Sequence, residues 1–150
     1  MERATVGFLS GLAGGIIIGL ISLTLYTTGL CRICLVALEG GIFQQQLLPR
    51  TASLGWIILG SIAHLILSAS LGVAIAFMLT YLGEKLAILK GAFLGAIVWY
   101  LLIGVLSPLA GYLPESPNLT DLFIVLGYHI AFGGFVAFLI MKYGTKEATI

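Results

Sequence analysis

Two histidines lie inside long apolar stretches of the chain, an uncommon place for an ionisable side chain. His64 and His129 are the only histidines of the sequence, and ionisable groups within a membrane are costly and tend to mark function. Three roles fit them. They could be neutral imidazoles that hydrogen-bond between helices, a proton-responsive or solute-contacting site, or the two axial ligands of a b-type haem. The residue types alone leave these roles open.

Similar stripes of small residues accompany the two histidines, because residues four apart share one face of a helix. His64 is followed by Ser68 and Gly72, and His129 by Gly133 and Ala137. The shared order predicts a two-fold repeat of a helix pair. At about 1.5 Å per residue the histidines are expected at similar depth, in an intramembrane polar layer formed by His64, His129, Trp99, Tyr100 and Tyr128.

A Cys-x-x-Cys pair, Cys31 and Cys34, follows the first apolar stretch. This spacing suits a redox pair on the side of a membrane where a disulfide persists. The position resembles that in the four-helix, quinone-linked disulfide oxidases, which carry such a pair after their first span. Those enzymes use a second cysteine pair in their second outer connection, and residues 109–121 contain no cysteine. A thiol redox protein therefore stays an alternative, beside two ordinary apolar cysteines or a small structural disulfide.

The carboxylates are all predicted to lie in connections or tails, which leaves no buried acid for coupling to an ion. The sequence also has no cluster of residues with metal-ligand spacing. We therefore expect no metal site, and no cofactor unless the histidines hold haem. The six acidic residues are Glu2, Glu39, Glu84, Glu115, Asp121 and Glu147.

The elements that position these residues are predicted to be membrane helices. The chain is 60% hydrophobic and only 9% charged, with a mean hydropathy of +1.16, whereas a soluble domain of this size needs more charge to cover its surface. Four apolar runs are long enough to cross a bilayer. We predict one all-α membrane domain over residues 1–150, with a retained first helix and spans at about 5–28, 54–82, 86–107 and 121–142.

Small residues recur at helical spacing and predict close helix packing, which in lipid is the main source of packing energy. The first span carries a glycine zipper, which could pack inside the monomer or form a seam between copies. The predicted packing residues are Gly7, Gly11, Gly15, Gly19, Gly60, Ser68, Gly72, Gly91, Gly95, Gly133 and Ala137.

The connection over residues 29–53 is too apolar for an ordinary wet loop. We expect it to lie at the outer interface or to dip into the bilayer, where the other helices must cover the break at Gly40 and Gly41. Glu39 and residues 44–46, three glutamines, are predicted to anchor it at the headgroups. Farther along, Asn118 or Thr120 is predicted to cap the fourth span.

The basic residues predict the orientation, because they accumulate on the cytoplasmic side. One face of the predicted bundle carries most of them, and the opposite face has only Arg32 and Arg50. Both termini are therefore predicted to be cytoplasmic. The residues of the cytoplasmic face are Arg3, Lys85, Lys90, Lys142 and Lys146.

Short motifs over roughly residues 8–140 resemble a loose group of small four-span bacterial membrane proteins, which includes the YqhR-like conserved membrane proteins of Gram-positive bacteria. The resemblance implies a bacterial inner-membrane location and supplies no substrate or catalytic residue. It is carried by Gly55-Trp56, Ala63-His64-Leu65, Lys90-Gly91, Gly95, Trp99, Ser107-Pro108-Leu109, Gly111, Gly127-Tyr128-His129 and Gly133.

These features favour a small membrane protein without catalytic activity. A net charge of +1 and the lack of a charged block argue against a nucleic-acid partner. Four short spans rarely enclose a pathway alone, so lipid and other membrane helices are the expected partners. We predict an oligomeric permeation or transport unit, or an accessory subunit of a larger membrane complex.

Overall fold

The computed structural model describes residues 1–44, 52–109, 111 and 118–145, and within them the regular structure is helical. A 3-10 turn, Ile42–Gln44, follows the short second helix. Within the described residues Glu2 and Thr145 form an isolated bridge, and no strand is present. The helices are α1 (Arg3–Thr27), α2 (Leu35–Gly41), α3 (Leu54–Leu82), α4 (Ala87–Leu109) and α5 (Leu119–Tyr143).

Four of the described helices are long and apolar enough to cross a membrane, which indicates an integral membrane protein. They are α1, α3, α4 and α5. The predicted spans agree with these bounds to within two residues at every end, and the bounds of α3 match the prediction. The prediction of an all-α fold with four helices long enough to span a membrane is therefore confirmed.

Helices α1 and α3 pack against each other almost backbone to backbone. A Cβ atom added at Gly11 would overlap the Ser68 carbonyl oxygen, and one added at Gly72 would overlap the Gly7 carbonyl oxygen. A Cβ atom at Gly15 would lie 2.6 Å from the Ser68 Cβ. The glycines of α1 therefore face α3 inside this chain, where absent side chains let the two backbones approach.

Helices α4 and α5 form a second pair of the same kind. Added Cβ atoms at Gly91 and Gly95 would overlap the carbonyl oxygens of Gly133 and His129, respectively. The Ala137 Cβ would lie 2.6 Å from a Cβ atom at Gly91. The small residues of α5 thus lie against those of α4.

The two pairs meet through α1 and α5, where the Phe132 ring would lie 3.0 Å from a Cβ atom at Gly14. A cluster of buried side chains, including Val6, Ile75 and Val136, fills the interior of the bundle at the end where α1 begins. By contrast, α3 and α4 make few contacts although a short turn joins them. The helices therefore follow the order α3, α1, α5, α4 around the bundle, with a gap between its first and last members.

The first connection does not lie over the outside of the bundle but inserts among its helices. Residues from Ile33 to Gly41 are all buried, and the backbone amide of Leu35 donates to the Ser22 Oγ at 3.0 Å. A Cβ atom at Gly60 would overlap the Val36 carbonyl oxygen, so α3 covers α2 at close range. This contact supplies the cover that irregular backbone inside a membrane protein requires.

Polar contacts between residues distant in sequence hold each end of the bundle. Arg3 forms an ion pair with Glu84, and the Thr145 amide donates to the Met1 carbonyl at 2.9 Å, so both described chain ends lie beside the α3–α4 turn. That turn places Gly83 at φ 77°, a conformation that glycine adopts without a steric penalty. At the far end the Arg32 amide donates to the Asp121 Oδ1 at 3.2 Å.

The predicted cap of the fourth span is Asn118, whose side chain accepts a hydrogen bond from the Thr120 amide at 3.1 Å. Several other predictions lie outside the described residues. They concern residues 45 and 46 of the glutamine anchor, Arg50, Glu115, Lys146 and Glu147.

Candidate functional site

A partly enclosed cavity of about 380 Å³ occupies the gap between α3 and the last turns of α4. All five helices contribute to its wall, which consists mainly of leucine and isoleucine side chains with Phe132. Three lining residues, Ile42, Leu106 and Leu109, are at least 49% exposed and mark its mouth. The polar residues of the wall are Glu39, His64, Ser68, Ser107, Tyr128 and His129.

The wall on the α2 and α3 side carries a buried ion-pairing group. The Nδ1 atom of His64 lies 3.1 and 2.9 Å from the two carboxylate oxygens of Glu39. On the other side of the ring, Nε2 lies 3.0 Å from the Gly15 carbonyl oxygen. Only 5% of His64 and 9% of Glu39 are exposed. The imidazole therefore links α1, α2 and α3.

These partners fix where protons can sit. A carbonyl oxygen only accepts hydrogen bonds, so the Gly15 oxygen requires a proton on Nε2 of His64. One further proton then lies between Nδ1 and the Glu39 carboxylate, either on the ring or on the acid. In both arrangements the pair has no net charge, which suits a buried site where an isolated charge is costly.

Glu39 corrects the sequence prediction for the acidic residues. It was expected at the headgroups, and all carboxylates were expected in connections or tails outside the buried interior. The structure buries Glu39 against His64, and it also buries Asp121, of which 3% is exposed. The sequence contained one signal of this burial, because Glu39 is the only polar side chain in the run from residue 35 to 43. A lone acid in such a run indicates a buried partner.

His129 lines the same cavity but has a different partner. Its Nδ1 atom lies 2.8 Å from the Val125 carbonyl oxygen, one helical turn earlier on α5. Since that oxygen only accepts, Nδ1 carries the proton, and the neutral ring then presents Nε2 as an acceptor. The structure thus brings the two histidines to one cavity and gives them unequal surroundings.

The aromatic residues of the predicted polar layer do not all lie together in the structure. Tyr128 lines the cavity and Trp99 packs beside it in an apolar cluster. Among the described residues, the Tyr128 hydroxyl and the Trp99 Nε1 are buried without a hydrogen-bond partner. Tyr100 lies on the outside of the bundle and is 59% exposed.

A π-helical segment, Tyr100–Leu106, forms part of α4 at the cavity. The Leu102 carbonyl accepts hydrogen bonds from both the backbone amide and the Oγ of Ser107, the second at 2.6 Å. Such segments occur often at functional sites. This irregularity could not be read from the sequence, because a leucine-rich run fits an unbroken α-helix equally well.

The residues suggested for haem are engaged in other interactions. Both ring nitrogens of His64 have partners, so iron could bind there only after the hydrogen bond to Gly15 or to Glu39 is lost. Among the described residues, no group of three or more His, Cys, Asp or Glu side chains is placed to hold a metal ion. The geometry at His64 does not fit a haem ligand.

Cys31 and Cys34 lie apart from water, although their spacing suggested redox chemistry. Both are free thiols with no exposed surface, and the Cys31 Sγ donates to the Ile33 carbonyl at 3.2 Å. Burial raises the pKa of both thiols. A raised pKa lowers the fraction of reactive thiolate, so this environment is that of inert, packed cysteines.

No protein-family description matches the chain, and no curated protein or solved structure is significantly similar to it.

Proposed function

We propose that the protein is a small, non-catalytic transport unit that admits a small lipophilic solute to the cavity between α3 and α4. The observation that carries this proposal is the cavity itself, a space of about 380 Å³ with apolar walls and a few polar groups. These are the usual properties of a small-molecule site. The mouth at Leu106 and Leu109 lies on a helix face available to lipid, so a solute dissolved in the membrane can reach it.

The distribution of charge supports an orientation with both termini in the cytoplasm. Arg3, Lys85, Lys90 and Lys142 lie at the end of the bundle that holds the described chain ends, whereas Arg32 lies at the other end. Basic residues accumulate on the cytoplasmic side. The cavity mouth then opens toward the outer half of the bilayer. We also propose that this bilayer is the bacterial cytoplasmic membrane, a location that rests on the resemblance to the YqhR-like proteins alone.

The packing of the helix pairs supports an origin by duplication. In each pair a glycine meets the histidine-bearing turn of its partner: Gly19 lies close to the His64 ring, and Gly95 close to the His129 backbone. The pairs α1–α3 and α4–α5 would then be the two copies. The inserted α2 lies between the two helices of the first copy.

We further expect other membrane helices as partners, in a homo-oligomer or a larger complex. The zipper glycines of α1 are used inside the chain, so the seam between subunits would lie on other faces. Large apolar side chains such as Tyr81 and Phe93 are exposed there. Chemical crosslinking in native membranes, followed by mass measurement, would identify the assembly, and a chain that stays monomeric would contradict this expectation.

Solute flux through vesicles that contain the purified protein tests the transport function. Three labelled aromatic solutes of different charge would be compared: benzyltrimethylammonium, benzenesulfonate and phenyl glucoside. We expect at least one to leave the vesicles faster than from protein-free vesicles. Equal rates for all three would overturn the proposal.

A matched pair of variants shows whether the flux uses the cavity. Leu106→Trp places a large ring in the mouth, whereas Leu101→Trp places one on the same helix outside the cavity. Both leucines are about half exposed, at 54% and 48%. Flux should fall at least several-fold for the first variant and remain unchanged for the second.

A further inference from the structure

We propose that the Glu39–His64 pair is a cation-exchange site, at which a monovalent lipophilic cation releases one proton as it binds. This inference rests on the proposed function and names the solute class and the coupling. It starts from the proton that the pair shares and from the composition of the surrounding wall.

The charge of the wall favours a cation over an anion. Among the residues that the structure describes, Glu39 is the only acidic residue that lines the cavity, and no described lysine or arginine lines it. Among the described residues, the other titratable groups near the pair are His129 and Tyr128 on α5 and the buried thiol of Cys34, the residue before α2. The described wall residues of α1, α3 and α4 are apolar apart from two serines and His64. A cation with an apolar body would therefore meet one counter-ion and aliphatic walls, with the aromatic faces of Phe132 and Tyr128 for further attraction.

The pair can hold either the proton or the cation, and the state in which it holds neither of them is unfavourable. Loss of the shared proton alone would set the Nδ1 lone pair of His64 against the Glu39 carboxylate in a desolvated site, which is unfavourable. A bound cation removes this penalty, because the carboxylate can turn from Nδ1 to the positive charge. Nε2 keeps its proton and its hydrogen bond to Gly15 throughout.

The exchange balances in atoms and in charge. Before binding, the site holds one shared proton and is neutral. After binding, it holds the cation, an ionised Glu39 and a neutral His64, and is again neutral. The N–H or O–H bond of the shared proton breaks, and the proton leaves for water. No bond forms to the cation and no oxidant or reductant takes part.

This exchange makes affinity depend on pH. Each bound cation displaces one proton, so the apparent affinity should rise about tenfold for every unit of pH increase while the pair still holds its proton. Protonation of His129 at low pH would add repulsion in the same direction. His129→Gln removes that contribution, and the tenfold dependence should persist in this variant.

Calorimetry of the full chain in lipid nanodiscs tests the proposal with benzyltrimethylammonium as the probe. The probe carries a permanent charge and no titratable proton, so a released proton must come from the protein. Phosphate and Tris differ in their enthalpy of ionisation. The difference in binding heat between titrations in the two buffers at one pH therefore gives the number of protons released. We expect about one for the wild-type protein. Empty nanodiscs correct for partition into lipid.

Three comparisons make this experiment decisive. Glu39→Gln keeps a hydrogen bond to His64 but removes the counter-ion, so binding should weaken at least tenfold and release no proton. Asp121→Asn removes a buried carboxylate outside the cavity and should behave as the wild type. Neopentylbenzene has the shape of the probe without its charge, and should bind at least tenfold more weakly.

The outcomes separate this proposal from the transport function. Binding of the cation without proton release, or equal binding of neopentylbenzene, would overturn the exchange site and leave a cavity for solutes. Absence of probe binding would also overturn it, while flux of benzenesulfonate or phenyl glucoside would still support transport. Should Glu39→Gln fail to fold, the pH series on the wild-type protein gives the answer, since a flat series contradicts the exchange.

Discussion

At the scale of single residues, the decisive feature is a pair that is distant in sequence. Glu39 and His64 are separated by 25 positions, and only the insertion of α2 among the spanning helices brings them together. The sequence predicted that His64 is buried in a polar layer. It could not supply the partner, because burial of Glu39 depends on contacts between α2 and α3 that no local pattern records.

A double-mutant cycle on this pair should show strong coupling. His64→Leu or Glu39→Leu alone leaves a buried polar group without its partner, and each should lower the free energy of unfolding by about 1–3 kcal/mol. The loss of stability in the double variant should be smaller than the sum of the two single losses by about 1–3 kcal/mol, since neither the carboxylate nor the imidazole is left without the other. Unfolding in mixed micelles measures all four proteins. Strictly additive losses would contradict the coupling.

The cysteines should react slowly in the folded protein. Because burial raises the pKa of the Cys31 and Cys34 thiols, less thiolate is present at pH 8 and access is blocked. We expect maleimide labelling at least about tenfold slower than for a free cysteine. Leu30→Cys, at a position that is 68% exposed, provides a fast internal control. Rapid labelling of the wild-type protein would contradict the buried environment.

Among the helices, the apolar runs predict the spans, and the pattern of small residues predicts much of the packing between them. Apolar runs define the four long helices because length and hydropathy are local properties. Helix α2 was harder to predict from the sequence, because a short apolar segment that contains the Gly40–Gly41 pair resembles a loop. The π-helical segment of α4 lies in a leucine-rich run that fits an unbroken α-helix equally well, so the sequence did not predict it.

Substitution of two glycines should separate packing from helix propensity. A Cβ atom at Gly72 would overlap the Gly7 backbone, whereas one at Gly127 would meet nothing within 4 Å. Gly72→Ala should therefore destabilise the protein by about 1–3 kcal/mol. Gly127→Ala should be neutral or stabilising by up to about 1 kcal/mol. Thermal unfolding in detergent compares the two, and equal effects would contradict the close contact of α1 and α3.

At the scale of the whole molecule, two tightly packed helix pairs leave a gap where α3 faces α4. Which helices lie next to one another is a non-local property, so the sequence did not predict this gap or the cavity in it. The presence of both described chain ends at one end of the bundle follows from an even number of spans, and it was predicted. Their side of the membrane remains a prediction that rests on the charges alone.

Topology reporters should place both termini on the cytoplasmic side. Alkaline phosphatase is active only outside the cytoplasm and a fluorescent protein folds within it, so fusions after Thr145 should be fluorescent and inactive as phosphatase. We expect this result because basic residues accumulate on the cytoplasmic side, and this end of the bundle carries Arg3, Lys85, Lys90 and Lys142. A fusion in the first connection, after residue 44, should show the reverse result. Phosphatase activity at Thr145 would invert the orientation.

The π-helical segment of α4 also changes which side chains share a face. In an unbroken α-helix, Leu106 follows Gly95 by eleven residues, about three full turns, and would point at α5 as Gly95 does. The wider turns between Tyr100 and Leu106 rotate the end of α4, so that Ile103 packs with Val125 of α5 while Leu106 borders the gap. A helical-wheel drawing would therefore misassign the last third of this helix. Because these wider turns accommodate an extra residue, deletion of one residue within the segment would restore α-helical turns and still leave Leu106 at the gap.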